Sequence, residues 1–249
     1  MMTVNVGICF LVSLLAGRFL ASFVDQWPQE KSGAFRLPGC RQCGGQDRGI
    51  LGGLPLIGWF MGGGQCRTCG KEESPVYPVM EWGAIGLFLW SWAVLPEGRL
   101  WVGCFLGWTL IALAVIDSRH FILPDFLTVP LTISGLIYKF FIVPDMILEA
   151  IIGGGLGYLL FAAVAWAYRH LRHREGLGLG DAKLLAAAGV WVGWQGLPAI
   201  ILLSAVGGLI FGLVRGISST PHKPHLINAY IPYGPFLAMA FWLVWLYGQ

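Results

Sequence analysis

The chain has 249 residues, of which 56% are hydrophobic and only 12% are charged. A soluble domain has about 25% charged residues, so this composition argues against a soluble globular protein and predicts one embedded in membrane lipid. The net charge of +3 gives no reason to expect a nucleic-acid partner.

Eight apolar segments follow one another along the chain, and we expect each to form a membrane-spanning helix. A span needs about 20 mostly apolar residues. The segments cover roughly residues 3–24, 77–95, 100–116, 126–143, 147–168, 182–194, 197–215 and 229–247, and the sixth is short. The first has no Lys or Arg from Met1 to Gly17 and no evident cleavage site, so we expect a retained helix rather than a signal peptide. The predicted fold class is an all-α polytopic membrane protein with about eight transmembrane helices.

Basic residues predict the orientation of these helices. Most of them lie in the first, third, fifth and seventh loops, at Lys31, Arg36, Arg41, Arg48, Arg67, Lys71, Arg119, Arg169, Arg172, Arg174 and Lys223. The other side has only Arg99 and Lys139. Because short basic loops stay in the cytoplasm, we expect both termini outside and the long first loop inside, in a cytoplasmic (inner) membrane.

The first loop contains two CxxC pairs separated by 22 residues, made of Cys40, Cys43, Cys66 and Cys69. Four thiolates in two tight turns can close a tetrahedral Zn²⁺ site, and Gly44 and Gly70 stand where such turns need positive φ. The alternatives are two disulfides or four unrelated thiols, but a cytoplasmic loop disfavours disulfides. We expect a small zinc-ribbon-like loop whose metal is structural. Cys9 and Cys104, in predicted spans, are expected to be buried apolar fillers.

Two acids stand at predicted helix ends on the cytoplasmic side. Asp117 ends the third segment and Asp181 opens the sixth. Such groups next to lipid are costly unless paired or functional, and two adjacent carboxyls can share a proton. One would then act as base on water and the other as acid on an amide, as in aspartic proteases. Gly178 and Gly180 would let substrate backbone approach. The equally weighted alternative is that Asp181 only caps its helix.

Several segments resemble the type IV prepilin peptidases, which are bifunctional leader peptidase/N-methyltransferases. "GLGLGDAKLLAAAGVWVGW" (176–194) is similar to their GxGD signature and "AVIDSRHFILPDFLTVPL" (114–131) to their first aspartate motif. "YPVMEW" (77–82), "IPYGPFLAMA" (231–240) and the two CxxC pairs also look like family segments. The similarity runs in matching order along nearly the whole chain.

The resemblance implies an aspartic endopeptidase that cuts prepilins or pseudopilins after a leader-ending Gly, at the cytoplasmic face. Asp117 and Asp181 would be its catalytic pair. The family's second activity methylates the new N-terminal residue with S-adenosylmethionine. The chain then divides into a first transmembrane helix (1–24), a cytoplasmic zinc-binding loop (25–76) and a seven-helix membrane peptidase domain (77–249).

Three other charged residues have two interpretations each. Glu81 is either a paired intramembrane acid or a contact for the substrate's leader or amino terminus. Lys183 either extends its ammonium to the interface or shifts the pKa of Asp181. Lys183 is also a candidate substrate-binding residue. Asp125 is most simply the N-cap or first-turn acid of the fourth helix, with a role near the catalytic pair as the alternative.

The N-terminal half departs from the family's usual pattern. In "GRFLASFVDQWP" Ala21 replaces a usual Asn and Gln26 a usual Arg, and Val76 stands where an Arg usually precedes Tyr-Pro. A membrane peptidase of the GxGD type without methyltransferase activity is therefore an alternative. A preflagellin peptidase is disfavoured by the CxxC pairs and the long first loop.

Two alternatives belong to other functional classes. A proton-coupled transporter would need acids near mid-membrane and repeated halves, and the sequence has neither. A non-enzymatic membrane scaffold with a zinc-ribbon docking loop would make Asp117 and Asp181 dispensable.

Overall fold

The computed structural model describes residues 2–27, 59, 65, 69–72, 74–172, 178–217 and 232–248. Within these residues the regular secondary structure is helical, apart from one isolated bridge between Gln65 and Glu72. The α-helices are α1 (Met2–Gln26), α2 (Val76–Val94), α3 (Glu97–His120), α4 (Asp125–Ile142), α5 (Ile147–Arg172), α6 (Leu179–Val192), α7 (Leu197–Ile217) and α8 (Gly234–Tyr247). Short 3-10 turns at Pro144–Met146 and Trp194–Gly196 precede α5 and α7. Each helix overlaps one predicted apolar segment, so the all-α prediction is confirmed.

Five helical stretches in the described part of the chain are long and apolar enough to cross a membrane. They are Asn5–Asp25, Glu97–His120, Asp125–Ile142, Pro144–Leu171 and Trp194–Arg215. Helices α6 and α8 have only 14 residues each, fewer than the roughly 20 of a full span. The structure therefore fits a polytopic membrane protein, and the number of eight spans stays a prediction.

Two helix ends differ from the predicted ones for local reasons. Helix α8 begins at Gly234 rather than at 229, since residues 232 and 233 are not helical. Pro235 then stands in the first turn, where its missing backbone N–H leaves no intrahelical hydrogen bond unmade. Helix α6 ends before Gly193, whose φ of +80° is a left-handed conformation that favours glycine.

The chain forms two compact units, Met1–Val115 and Ile116–Gln249, with the division inside α3. In the first unit α1 packs closely on α2. A Cβ atom at Gly17 would lie 2.9 Å from the Cα atom of Glu81, so only glycine permits this approach. Cys9 and Cys104 are fully buried in an apolar cluster with Phe88, which confirms that they are fillers.

In the second unit α6 packs against α4, α5 and α8. The backbones of α5 and α6 touch where Gly153 meets Gly189. Near the same end of α6, the Trp191 indole N–H donates to the carbonyl of Leu131 at 2.9 Å, and its ring stacks on Tyr138 with centroids 5.5 Å apart. The helix that begins with the GxGD segment is therefore held on several sides.

Candidate active site

Asp181 is the third residue of α6, and Gly178 is the N-cap. The backbone N–H of Gly178 donates to the Asp181 carboxyl, which is one half of a capping box. The side chain is only 9% exposed. Asp181 is therefore not the N-cap residue that the alternative prediction named, although its carboxyl accepts a hydrogen bond from the N-cap backbone. A carboxylate has about four acceptor positions, so this contact leaves others for chemistry.

Asp117 lies in the last turn of α3 and is 6% exposed. The backbone N–H of Gly234, at the start of α8, donates to its Oδ2 atom at 2.9 Å. A Cβ atom at Gly234 would lie 2.6 Å from the same oxygen. The close approach of α8 to this carboxyl therefore requires glycine at position 234.

The two predicted catalytic acids come together in the second unit. Asp117 is close enough to Asp181 for their carboxyls to interact electrostatically. Both are buried although they stand 64 residues apart in the sequence. Two buried carboxyls in this relation can hold a single proton between them, the arrangement that acid–base hydrolysis needs.

The two predicted substrate glycines have different surroundings. A Cβ atom at Gly180 would lie 2.9 Å from the Cβ of Leu123, which precedes α4. The close approach at Gly180 is thus made by the first aspartate segment of the same chain. Gly178 is exposed, and the nearest atom to a Cβ built there is Asp181 Oδ2 at 3.6 Å. Of the two glycines, Gly178 is therefore the one with open space around its Cβ position.

Lys183 and Asp125 contact each other. The Lys183 ammonium lies 2.5 Å from Asp125 Oδ1, and the two side chains are 37% and 63% exposed. The N-cap of α4 is Pro124, so Asp125 is a first-turn acid rather than a cap. The sequence did not predict this pairing.

Tyr233 and Gly234 are neighbours of the dyad that sequence reasoning did not single out. The Tyr233 hydroxyl lies 2.5 Å from Ser204 Oγ on α7, and the phenol interacts electrostatically with Asp181. The only indication in the sequence was a Tyr-Gly-Pro step at the start of an apolar segment, within the stretch 231–240 noted for its resemblance.

Glu81 belongs to the first unit and is 1% exposed. Its Oε1 atom lies 2.7 Å from Nη1 of Arg18, and the Arg18 guanidinium is 5.0 Å from the centre of the Tyr77 ring. This supports the interpretation of Glu81 as a paired intramembrane acid. Its contact with substrate stays a prediction.

The predicted zinc ligands lie mostly beyond the described part of the chain. Cys40, Cys43 and Cys66 are outside it, and only Cys69 is inside. Gly70 has a φ of +69°, as expected for a knuckle turn. Among the residues that the structure describes, no group of three or more His, Cys, Asp or Glu side chains could hold a metal ion.

Comparison with known proteins gives two family matches. Residues 104–213 match the type IV leader peptidase family, and residues 11–95 match the bacterial peptidase A24 N-terminal domain. Together they include most of the chain and both aspartates. No solved structure matches the chain.

Similar curated proteins carry the name prepilin leader peptidase/N-methyltransferase. The one from Aeromonas salmonicida is 37% identical over 200 residues, which are 80% of this chain and 67% of the relative. The one from Pseudomonas aeruginosa is 34% identical over 234 residues, covering 89% and 77%. The one from Pseudomonas putida is 32% identical over 268 residues, covering 96% and 89%.

Proposed function

Because the chain belongs to the type IV leader peptidase family and is therefore a peptidase, we propose that it removes the leader from prepilins or pseudopilins by aspartic catalysis. The observation that carries this proposal is the buried pair of Asp117 and Asp181 in the second unit. The names of the relatives supply the substrate class.

The two carboxyls divide the acid–base work between them. One, ionised, takes a proton from water as the water attacks the scissile carbonyl. The other, protonated, gives its proton to the amide that leaves. The backbone N–H groups of Gly234 and Gly178 each donate to one carboxyl, and they orient the pair without adding a charge.

Substrate reaches this pair from the membrane boundary. A prepilin places its apolar N-terminal helix in the bilayer and its basic leader in the cytoplasm, so the bond to be cut lies where the helix leaves the lipid. The exposed Gly178 lies directly beside Asp181. We propose that the extended segment around the scissile bond passes along this glycine at the cytoplasmic face of the inner membrane.

The same proposal includes eight spans with both termini outside and a cytoplasmic loop at 25–76. The five long apolar helices support a multi-pass arrangement. Four thiolates in two CxxC turns are the donors that structural Zn²⁺ prefers, and the conformation of Gly70 fits one such turn. The metal would order this loop.

Methylation of the new N-terminus is proposed from the names of the relatives. S-adenosylmethionine would supply the methyl group. Among the described residues no contact or cluster marks a place for this cofactor, so we derive no step of the transfer. A peptidase without the second activity remains the alternative, because of the departures at Ala21, Gln26 and Val76.

The test is co-expression with a prepilin, with the product read by intact mass. Asp117→Asn and Asp181→Asn should each abolish cleavage, and the double variant should be no worse, because the two carboxyls act as a unit. The matched control is Asp145→Asn, an exposed acid in the 3-10 turn between α4 and α5, which should cleave normally. Cleavage by either Asn variant at normal abundance would remove the aspartic mechanism. An added methyl group on the product reports the second activity.

A further inference from the structure

One charged contact joins the two segments that carry the catalytic acids. Asp125 is the first residue of α4 and follows Asp117 by eight positions, while Lys183 is in the first turns of α6, two positions after Asp181. The Lys183 ammonium and the Asp125 carboxyl are 2.5 Å apart. The pair thus connects the start of α4 to the start of α6, close to the dyad on both sides.

We propose that this ion pair is a clasp that positions Asp181 against Asp117. Asp125 and Lys183 are then positioning residues that act through the dyad and do not touch the reacting atoms. The proposal rests on the aspartic mechanism proposed above.

Two of the contacts made by the start of α6 reach the segment that follows Asp117. Gly178 and Leu179 are exposed, and Gly180 contacts Leu123. Leu123 and Asp125 both belong to the chain that follows Asp117 out of α3. The first turns of α6 therefore make an apolar contact and a charged contact with this segment. The charged contact depends more on the orientation of the two groups.

The geometry of a helix lets Lys183 bind Asp125 while the Asp181 carboxyl stays available to Asp117. Residues two apart on an α-helix point about 200° apart around its axis. When Lys183 reaches toward α4, Asp181 is left on another side of α6, where it meets Asp117 and Gly178.

A contact this exposed adds little to the stability of the protein. Measurements of stability and of catalysis can therefore distinguish a positioning role from a structural one. Losing it should leave abundance and thermal unfolding unchanged while the dyad becomes misaligned. Misplacing a catalytic group by about 1 Å can lower a rate about a hundredfold. The expected signature is a fall in kcat with an unchanged KM.

The first experiment measures kcat and KM for prepilin cleavage in membranes. Asp125→Asn and Lys183→Gln should each lower kcat by roughly tenfold or more, and Lys183→Arg should keep most of it. The charge swap Asp125→Lys with Lys183→Asp should recover most of the lost rate. The Asp145→Asn control should match the wild type. Wild-type kcat in Asp125→Asn, or a swap no better than the single variants, would overturn the clasp.

The second experiment does not depend on activity. A zero-length carbodiimide should join the carboxyl of Asp125 to the amine of Lys183 in native membranes, and peptide mass spectrometry would identify the amide. Lys183→Arg should abolish this cross-link. Its absence from the wild type would overturn the clasp. A cross-link together with cleavage by Asp117→Asn would instead overturn the aspartic mechanism and leave the contact standing.

Discussion

Gly234→Ala should impair cleavage by displacing one carboxyl of the dyad. The added methyl group would lie 2.6 Å from Oδ2, 2.8 Å from Cγ and 2.9 Å from Cβ of Asp117. Non-bonded heavy atoms prefer separations of about 3.5 Å or more, so the carboxyl must retreat by roughly 1 Å or α8 must move. A shift of this size costs about a hundredfold in rate, which is about 2.7 kcal/mol of transition-state stabilisation.

The assay is single-substrate prepilin cleavage in membranes, with kcat and KM separated and each variant normalised to its abundance. Gly155→Ala in α5 is the matched control, because a Cβ built there meets no described heavy atom within 4 Å apart from the adjoining backbone of its own helix. The control should cleave at the wild-type rate. If Gly234→Ala were as fast as Gly155→Ala, the close approach of α8 to Asp117 would not matter to catalysis and the reasoning would be refuted.

Three further predictions concern other parts of the chain. Arg18→Gln should lower the free energy of unfolding by about 3–5 kcal/mol, because it removes the cation that pairs with the buried Glu81, and adding Glu81→Gln should restore part of this loss. Thermal unfolding in detergent measures the stability of both variants. Equal stability of the single and double variants would contradict the prediction. Gly180→Ala should reduce cleavage more than it reduces protein abundance, because the methyl group enters the contact between the two aspartate segments. Immunoblotting measures abundance beside the cleavage assay. Equal losses of cleavage and abundance would indicate misfolding and contradict the prediction. Purified protein should contain about one Zn²⁺ per chain, and Cys40→Ser with Cys66→Ser should remove it; elemental analysis finding no zinc in the wild type would refute the metal site.

The sequence predicted the positions of the helices well, because helix placement in this chain follows apolar runs. It also predicted that Asp117 and Asp181 meet, since acids at the ends of apolar segments are costly next to lipid unless they are paired or functional. What it missed are contacts between residues distant in sequence. Nothing local indicates that Gly180 faces Leu123, and the sequence alone predicts room for substrate at this glycine.

The pairing of charges was equally hard to predict. Glu81 and Arg18 are 63 positions apart and lie on different helices, so no helical spacing links them. The partner depends on how α1 and α2 are rotated against each other, which small residues such as Gly17 decide by allowing close approach. The same holds for Lys183, whose partner Asp125 lies 58 positions earlier, on the neighbouring helix α4.

The shortness of α6 has a consequence for the surrounding bilayer. Fourteen residues rise roughly 21 Å along a helix axis, against about 30 Å of hydrocarbon. Trp194, just beyond its far end, is 47% exposed and is of the type that anchors at an interface. With that end anchored, the hydrophobic mismatch falls on the end that carries Asp181. Lipid adapts to a short helix by thinning, and a thinned leaflet lets bulk water reach a carboxyl that the protein itself buries. On the aspartic mechanism proposed above, the water that attacks the scissile carbonyl would reach the dyad from this thinned side of the bilayer.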